Sequence, residues 1–318
     1  MRYTGRLLGA AAIGVVGAAL LLELGLRLAS LVVAGDPATR LSPGHDRTVI
    51  LCAGDSHTWG QGKGYPAALA ERLAARSPRY QVVNLGVPGS NTAQLRRRFP
   101  DWFDRFQPAV VVVWSGVNNV SNRTDADVWE DAGVAPLPLW RRAVEASRLW
   151  RFVRLWRHQA DLERALSESG ALYAPTLYQQ PNDPPDTFRR EVAGEGDLQQ
   201  HVHRTAMLTP EEVVRVTALD VRWLAETARA RGIPMVVITY PINLFGFVPT
   251  NEGIERGAKE AGIPVVSSLE ALQRVMARGG VQSASELFDP SVHPNQLLYD
   301  EVGALVLDEL DRQGWLPQ

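Results

Sequence analysis

The chain of 318 residues has one cysteine, two lysines and almost no net charge. Its single cysteine, Cys52, excludes an internal disulfide bond. With 33 basic and 35 acidic residues, the net charge of -2 lacks the positive excess of a dedicated nucleic-acid-binding protein, so we expect no nucleic-acid partner. Hydrophobic residues make up 45% and charged residues 21%, an ordinary globular composition that excludes a wholly disordered chain and a polytopic membrane protein.

The most apolar part of the chain lies at its beginning. Leu7–Leu22 contains no charged residue, and Arg2 and Arg6 precede it. The positive-inside rule therefore predicts that the N-terminus stays in the cytoplasm and that the rest of the chain lies beyond the membrane. We predict an N-terminal transmembrane helix within residues 1–35 that anchors a periplasmic or extracellular domain.

A cleaved signal sequence is the alternative for this segment. A basic start, a hydrophobic stretch and a small-residue site ending at Ala34 are typical of secreted proteins, and the mature protein would then be released. Glu23 and Arg27 lie between the stretch and that site, at a spacing that allows them to pair on one helix face. These charges favour the uncleaved anchor.

Beyond the N-terminal segment, short apolar runs alternate with stretches of helical periodicity. The runs are continuous, which is typical of strands buried on both faces of a parallel sheet. Their alternation with helices predicts a three-layer α/β fold around a five-stranded parallel sheet. The predicted strands are Thr48–Ala53, Gln81–Leu85, Ala109–Trp114, Pro234–Tyr240 and Ile263–Val266. The predicted helices are Tyr65–Arg76, Thr92–Phe106, Pro210–Arg231, Glu252–Ala261 and Asn295–Leu310.

One long segment breaks this alternation. Residues 121–208 contain four of the nine tryptophans and no clear strand–helix repeat. We predict that residues 36–120 and 209–318 form one α/β domain. Residues 121–208 would then be an insertion, mostly helical, that serves as a lid or a small subdomain.

Four loops contain the candidate catalytic residues. Active sites of open parallel sheets gather beyond the carboxyl ends of the strands. A serine nucleophile needs a base, an acceptor that orients the base, and preorganised donors for the oxyanion. The loops after the first three strands and the segment before the last helix supply all of these residue types. The four segments are 54–58, 84–91, 115–119 and 289–295.

With these four motifs in this order, the chain resembles the SGNH (GDSL) hydrolases. The resemblance covers residues 48–120 and 234–310. It implies a flavodoxin-like fold, which agrees with the sheet predicted from the apolar runs, and it implies hydrolysis of an ester through an acyl-enzyme. The family's reaction implies neither a metal ion nor an organic cofactor.

The resemblance also assigns roles to individual residues. Ser56 matches the nucleophile and His293 the general base. Gly89 and Asn118 match the oxyanion-hole donors, together with the backbone N–H of Ser56. Asp289 is the candidate for the acid that orients His293.

Three positions depart from the family pattern. The acid normally stands three residues before the histidine, but Pro290 occupies that place and Asp289 stands one residue earlier. We expect the Asp289 carboxylate within about 2.6–3.2 Å of a ring nitrogen of His293, with Glu286 as the fallback acceptor. Asn119 replaces the usual aspartate, and Leu298 stands where a glycine often begins the last helix.

Three further residues are candidates for supporting roles beside the catalytic groups. Asp55 and His57 flank Ser56, and Asn119 follows Asn118. Asn119 is expected to support its loop more than the chemistry. His57 is expected to be a wall of the pocket or a donor to the catalytic groups.

The sequence therefore predicts a membrane-anchored, extracytoplasmic serine esterase. The substrate would be a carbohydrate O-acetyl group or a lipid ester. One alternative is an O-acyltransferase of cell-surface polysaccharide that forms the same acyl-enzyme. The other is a non-catalytic member of the fold that binds a glycan or a partner through the tryptophan-rich insertion.

Overall fold

The structure is a computed structural model, and it describes the central sheet, its helices and parts of the other segments. The domain boundaries and the lid role that the sequence predicts remain predictions, because most of residues 121–208 lie outside the described part. The described residues are 2–33, 46–60, 63–121, 125, 128–150, 152–153, 177–178, 187–192, 196–201, 208–242, 247–289 and 293–316.

A five-stranded parallel sheet forms the centre of the fold, as predicted. Its order is β2-β1-β3-β7-β8, which is the flavodoxin-like order in which β1 pairs with a neighbour on each side. Every residue of β3 is buried, so the continuous apolar run reflects burial on both faces. The strands are β1 (Thr48–Gly54), β2 (Tyr80–Gly86), β3 (Val110–Trp114), β7 (Met235–Ile238) and β8 (Val265–Val266).

Nine α-helices are described. Most of them are preceded by a residue whose side chain accepts a backbone N–H of the first turn and so caps the helix. Thr209 forms a capping box with Glu212, and Asn295 accepts the Leu298 N–H, so these helices begin close to where the sequence predicts. The helix predicted from Glu252 begins earlier, at Phe247, and Ser268–Ala277 was not predicted. The helices are α1 (Arg2–Val33), α2 (Ser56–Trp59), α3 (Tyr65–Arg76), α4 (Thr92–Phe106), α5 (Leu139–Ala146), α6 (Pro210–Arg229), α7 (Phe247–Ala261), α8 (Ser268–Ala277) and α9 (Gln296–Arg312).

The helices around the sheet pack in two groups. Helix α9 packs against α3 and α8, while α6 packs against α4 and α7. Glycine permits the close approach of α6 and α7. A Cβ on Gly257 would lie 2.6 Å from the carbonyl oxygen of Ala218 and 2.9 Å from its Cα. Both atoms belong to the backbone of α6, so the two helices would have to move apart.

The insertion contains an antiparallel sheet that the sequence did not predict. Strands β4 (Leu177–Tyr178), β5 (Thr187–Val192) and β6 (Gly196–His201) pair in that order. The prediction of a mostly helical insertion is wrong for this part. The reason is compositional: β5 and β6 are mostly polar and lack the apolar alternation by which a half-buried strand is recognised.

The N-terminal helix α1 contacts residues 146–149 of the predicted insertion through Glu23 and Arg27, whose guanidinium donates to the Ala146 carbonyl at 3.3 Å. Glu23 pairs with Arg27 at 2.7 Å and accepts hydrogen bonds from the Ser147 hydroxyl and from the N–H groups of Arg148 and Leu149. Among the residues whose side chains are described, no helix combines the length and the apolar character needed to cross a bilayer. The transmembrane helix predicted within residues 1–35 finds no support here.

We expect Gly257→Ala to lower the free energy of unfolding by a net ~1–2 kcal/mol. Alanine gains ~1 kcal/mol of helix propensity over glycine, but the clash with the Ala218 backbone outweighs that gain. Urea unfolding measures the change. Glu255→Ala is the control, because Glu255 is exposed on the same helix. Equal stabilities of Gly257→Ala and the parent chain would contradict the close packing of α6 on α7.

Candidate active site

The loops after the three adjacent strands start at the same level of the sheet. Gly54 at the end of β1 is in register with Gly86 of β2 and with Trp114 of β3. A Cβ at Gly54 would collide with the carbonyl oxygen of Trp114, and one at Gly86 would collide with the backbone of Trp59. Glycine at both positions therefore lets the three loops converge at the carboxyl edge of the sheet.

Ser56 and His293 are in direct contact. The Oγ of Ser56 lies 2.7 Å from Nε2 of His293, a hydrogen-bond distance across 237 positions of sequence. Ser56 is the first residue of the short helix α2, and Asp55 caps that helix by accepting the His57 N–H at 2.9 Å. The residues predicted as nucleophile and base are thus placed for proton transfer.

The two predicted oxyanion loops join each other and the Ser56 loop. The side-chain N–H of Asn118 donates to the carbonyl oxygen of Ser90 at 2.9 Å. The Ser90 hydroxyl in turn donates to the carbonyl oxygen of Gly54 at 3.0 Å. Gly89 is exposed and adopts φ +75°, in the left-handed region that favours glycine. The structure therefore brings the loops of Ser56, Gly89 and Asn118 together.

Asp289 lies farther from the imidazole than predicted. Its Oδ1 is 3.8 Å from Nδ1 of His293, so the expected distance of about 2.6–3.2 Å is wrong. The same oxygen accepts the backbone N–H of His293 at 2.9 Å, and the Asp289 N–H donates to the carbonyl of His293 at 2.8 Å. These two bonds hold the Asp289 carboxylate against the backbone of His293. The fallback, Glu286, instead accepts the N–H groups of Gln282 and Ser283.

His57 is buried against the imidazole of His293. Their ring centroids are 4.9 Å apart, and Tyr240 and Trp114 pack against the other sides of His57 at 4.9 and 5.3 Å. Among the described residues, neither ring nitrogen of His57 has a hydrogen-bond partner, although Nδ1 lies 3.4 Å from the Asp55 carboxylate. His57 is thus a wall of the site, one of the two roles that the sequence left open.

Burial lowers the pKa of His293 below its usual 6.5, and the neighbouring His57 lowers this pKa further. Asp289 and Asp55 act in the opposite direction and raise it. Burial disfavours the charged imidazolium because the interior solvates charge poorly. The net result is an imidazole that is neutral near pH 7, as a proton acceptor must be.

Asn119 supports its own loop through hydrogen bonds, which is the role that the sequence predicts for it. Its side-chain oxygen accepts the backbone N–H of Thr92 at 3.1 Å. Its amide nitrogen donates to the hydroxyl of Thr217 at 2.8 Å. These bonds tie the turn after β3 to helices α4 and α6.

Two buried polar residues of this region were not found from the sequence. Asp220 on α6 accepts hydrogen bonds from the Thr92 hydroxyl, Arg96 and the Trp129 indole, and burial raises its pKa. An acid in phase with the apolar face of a helix is a signal that could have found it. The second residue is Tyr240, whose hydroxyl donates to the Asp55 carboxylate. No local pattern marks that tyrosine.

Chemically, the site combines a hydroxyl, an imidazole and two adjoining loops that carry N–H groups. Within the described part of the chain, no group of three or more His, Cys, Asp or Glu residues is placed to hold a metal ion. Serine with a hydrogen-bonded histidine and nearby N–H donors is suited to acyl transfer.

Several solved structures have a similar overall fold at low sequence identity. An α/β hydrolase enzyme from the metagenome of Lake Arreo, Spain, is 16% identical with a TM-score of 0.48, over 89% of this chain and 100% of that one. A catalytic mutant of an acetylxylan esterase from Geobacillus stearothermophilus is 15% identical with a TM-score of 0.48, over 87% and 99%. The esterase EstA from Pseudoalteromonas sp. is 10% identical with a TM-score of 0.45, over 84% and 98%.

Comparison with curated proteins gives no match. Comparison with family models does: the model of the GDSL-like lipase/acylhydrolase family matches residues 52–300, which is more than half of the chain. The match spans all four loops of the site, so the resemblance inferred from their motifs is confirmed. The chain therefore belongs to the GDSL-like lipase/acylhydrolase family of ester-hydrolysing enzymes.

Proposed function

We propose that the protein is a serine esterase in which Ser56 is the nucleophile and His293 the general base. The 2.7 Å contact between Ser56 Oγ and His293 Nε2 carries this proposal. As the Oγ–carbon bond forms, the hydroxyl proton passes to His293. When the ester C–O bond breaks, His293 returns the proton to the leaving alcohol. Water then repeats both steps on the acyl-enzyme and releases the free acid.

The oxyanion hole in this proposal consists of the N–H groups of Ser56 and Gly89 and the side-chain amide of Asn118. The hydrogen bond from Asn118 to the Ser90 carbonyl supports it, because it orients the amide before substrate binds. Donors that are already oriented stabilise the developing charge without reorganisation.

Asp289 acts on His293 through charge. Its oxygen lies 3.8 Å from Nδ1, within ion-pair range once the imidazole is protonated, and its backbone bonds keep it there. In this proposal Asp289 stabilises the imidazolium that forms during acylation.

For location and substrate, we propose a membrane-associated enzyme that acts outside the cytoplasm on a carbohydrate O-acetyl group or a lipid ester. The exposed apolar side chains of α1 support the membrane part: Ile13 is 76% exposed and Leu21 72%. Side chains of this size gain about 1.5–3 kcal/mol each when they leave water. The uncharged Leu7–Leu22 segment after Arg2 and Arg6 supports the orientation.

Ser56→Ala is expected to lower turnover of a short acyl ester by at least about 10³-fold, because the nucleophile is lost. Thermal stability should stay the same, and a fluorophosphonate probe should no longer label the protein. Ser115→Ala is the matched control: Ser115 is buried in the neighbouring loop, and its hydroxyl has no hydrogen-bond partner in the described residues. Residual esterase activity in pure Ser56→Ala would remove Ser56 from the reaction.

The acidic limb of the kcat/KM profile should follow the pKa of His293. Because that pKa is lowered, wild-type activity should persist to below pH 6.5. His57→Asn removes a group that lowers the pKa of His293, so the limb should move to higher pH. Asp289→Asn removes a group that raises it, so the limb should move to lower pH. Initial rates from pH 4 to 8 measure both shifts. Shifts in the same direction would refute His293 as the titrating base.

The full chain is expected to sediment with membranes, to resist a high-salt wash and to leave with detergent. Replacing Leu20 and Leu21 together by Asp should move the protein to the soluble fraction. Leu297→Asp is the control, because Leu297 is an exposed leucine of α9 outside this helix. Fractionation and immunoblotting measure the distribution. A shortened soluble product would instead show cleavage near Ala34.

A further inference from the structure

We propose that Tyr240 is a positioning residue that holds the nucleophile loop and the oxyanion loop together. The inference rests on the proposed esterase function and adds a residue outside the four motif loops. Tyr240 lies just after the end of β7, a strand that contributes none of the predicted catalytic groups.

One hydroxyl group bridges the two loops. The Tyr240 O–H donates to Oδ2 of Asp55 at 2.5 Å and accepts the backbone N–H of Val117 at 3.1 Å. Asp55 directly precedes Ser56, and Val117 directly precedes Asn118. The tyrosine therefore fixes the residue before the nucleophile relative to the residue before the oxyanion amide.

The bridge extends to the remaining donors of the proposed oxyanion hole. The other oxygen of Asp55 accepts the His57 N–H, which sets the start of helix α2 and so the direction of the Ser56 N–H. On the far side, Asn118 donates to the carbonyl of Ser90, the residue that follows Gly89. The Tyr240 hydroxyl thus joins the Ser56 loop to the Asn118 loop, and the Ser90 hydroxyl separately joins the Gly89 loop to Gly54.

Tyr240 is itself held in place. Asn251 on α7 accepts its backbone N–H at 2.7 Å and donates to its carbonyl at 3.0 Å. The ring of Phe247 stacks on it with centroids 4.9 Å apart and planes within 10°. The position of the hydroxyl is therefore set by α7 and not by the two loops that it joins.

The chemistry of the bridge keeps it intact at neutral pH. Asp55 is fully buried, and a buried carboxylate without hydrogen-bond donors is strongly unfavourable. Burial and the neighbouring Asp55 raise the pKa of Tyr240 well above 10, so the phenol keeps the proton that it donates. Removing the hydroxyl leaves the buried Asp55 Oδ2 and the Val117 N–H without these bonds.

The effect on the reaction falls on the transition state. Oxyanion donors act at about 2.7–3.1 Å, and a misplacement of about 1 Å can lower a rate by about 10²-fold. Tyr240 is only 1% exposed, which leaves it no surface for substrate, so we expect ground-state binding to stay the same. Loss of the hydroxyl should lower kcat and leave KM unchanged.

Tyr240→Phe keeps the ring, the stacking on Phe247 and both bonds to Asn251. We expect kcat per folded protein to fall by about 10- to 100-fold, with KM changed by less than about twofold. Tyr299→Phe is the matched control: its hydroxyl is also buried, but it has no hydrogen-bond partner among the described residues. It should keep at least about half of the wild-type kcat. An unchanged kcat in Tyr240→Phe would overturn the proposal.

A double-mutant cycle of Tyr240→Phe and Asn118→Ala separates an effect on positioning from an effect on stability alone. If Tyr240 acts through the oxyanion loop, Tyr240→Phe should lower kcat much less in the Asn118→Ala background than in the wild type. Fully additive effects on kcat would overturn the proposal even if each single variant is slow. Should Tyr240→Phe fail to fold, Asn251→Ala keeps the hydroxyl and loosens its backbone, and the same loss of kcat at constant KM is expected. Wild-type kcat in that variant would also overturn it.

These outcomes differ from a failure of the proposed function. The esterase proposal fails when Ser56→Ala retains activity or when the wild type escapes fluorophosphonate labelling. The positioning proposal fails on the ratio of kcat between variants of an enzyme that is labelled at Ser56. The test of the esterase proposal uses Ser56→Ala and the wild type, whereas the test of the positioning proposal compares kcat among variants that keep Ser56.

Discussion

The close convergence of three loops at the end of β1 is the constraint on which the site depends. Gly54, Gly86 and Trp114 stand side by side in register. A side chain at Gly54 would collide with the Trp114 carbonyl, and one at Gly86 would collide with the backbone of Trp59. The chain can therefore turn sharply after each strand. Ser56 and the two oxyanion loops come within one hydrogen-bonded assembly because the sheet aligns the strand ends first.

Buried polar groups then determine how those loops are held. Asp55 and Asp220 are both fully buried and both paired, Asp55 with Tyr240 and the His57 N–H, Asp220 with Thr92, Arg96 and Trp129. A buried carboxylate is strongly unfavourable unless nearly all of its hydrogen-bond partners are in place. The groups around Asp55 and around Asp220 are therefore expected to be ordered together. The loop of Asn118 is held between these two centres. Its rigidity follows from the cost of leaving either carboxylate unpaired.

The electrostatics of the catalytic pair follow from the same burial. His293 lies at the edge of the interior, where burial and His57 lower its pKa and two carboxylates oppose them. A neutral imidazole suits proton abstraction, and the nearby negative charge of Asp289 favours the imidazolium as it forms. Asp289 exchanges hydrogen bonds with the backbone N–H and carbonyl of His293, and these bonds fix its distance from the ring.

The sequence by itself determined the strands and most of the helices, and the family resemblance implied that Ser56 and His293 act together. Continuous apolar runs specify buried strands, cap residues mark helix starts, and motifs at strand ends become neighbours once the strands are parallel. These signals lie within a few residues of one another, so they can be read locally. The hydrogen bond between Tyr240 and Asp55 joins residues 185 positions apart, and the 3.8 Å separation of Asp289 from the His293 ring accompanies its bond to the backbone N–H of His293. Only the tertiary structure decided these, because a long-range polar contact depends on where two distant segments meet, and neither segment alone encodes that distance.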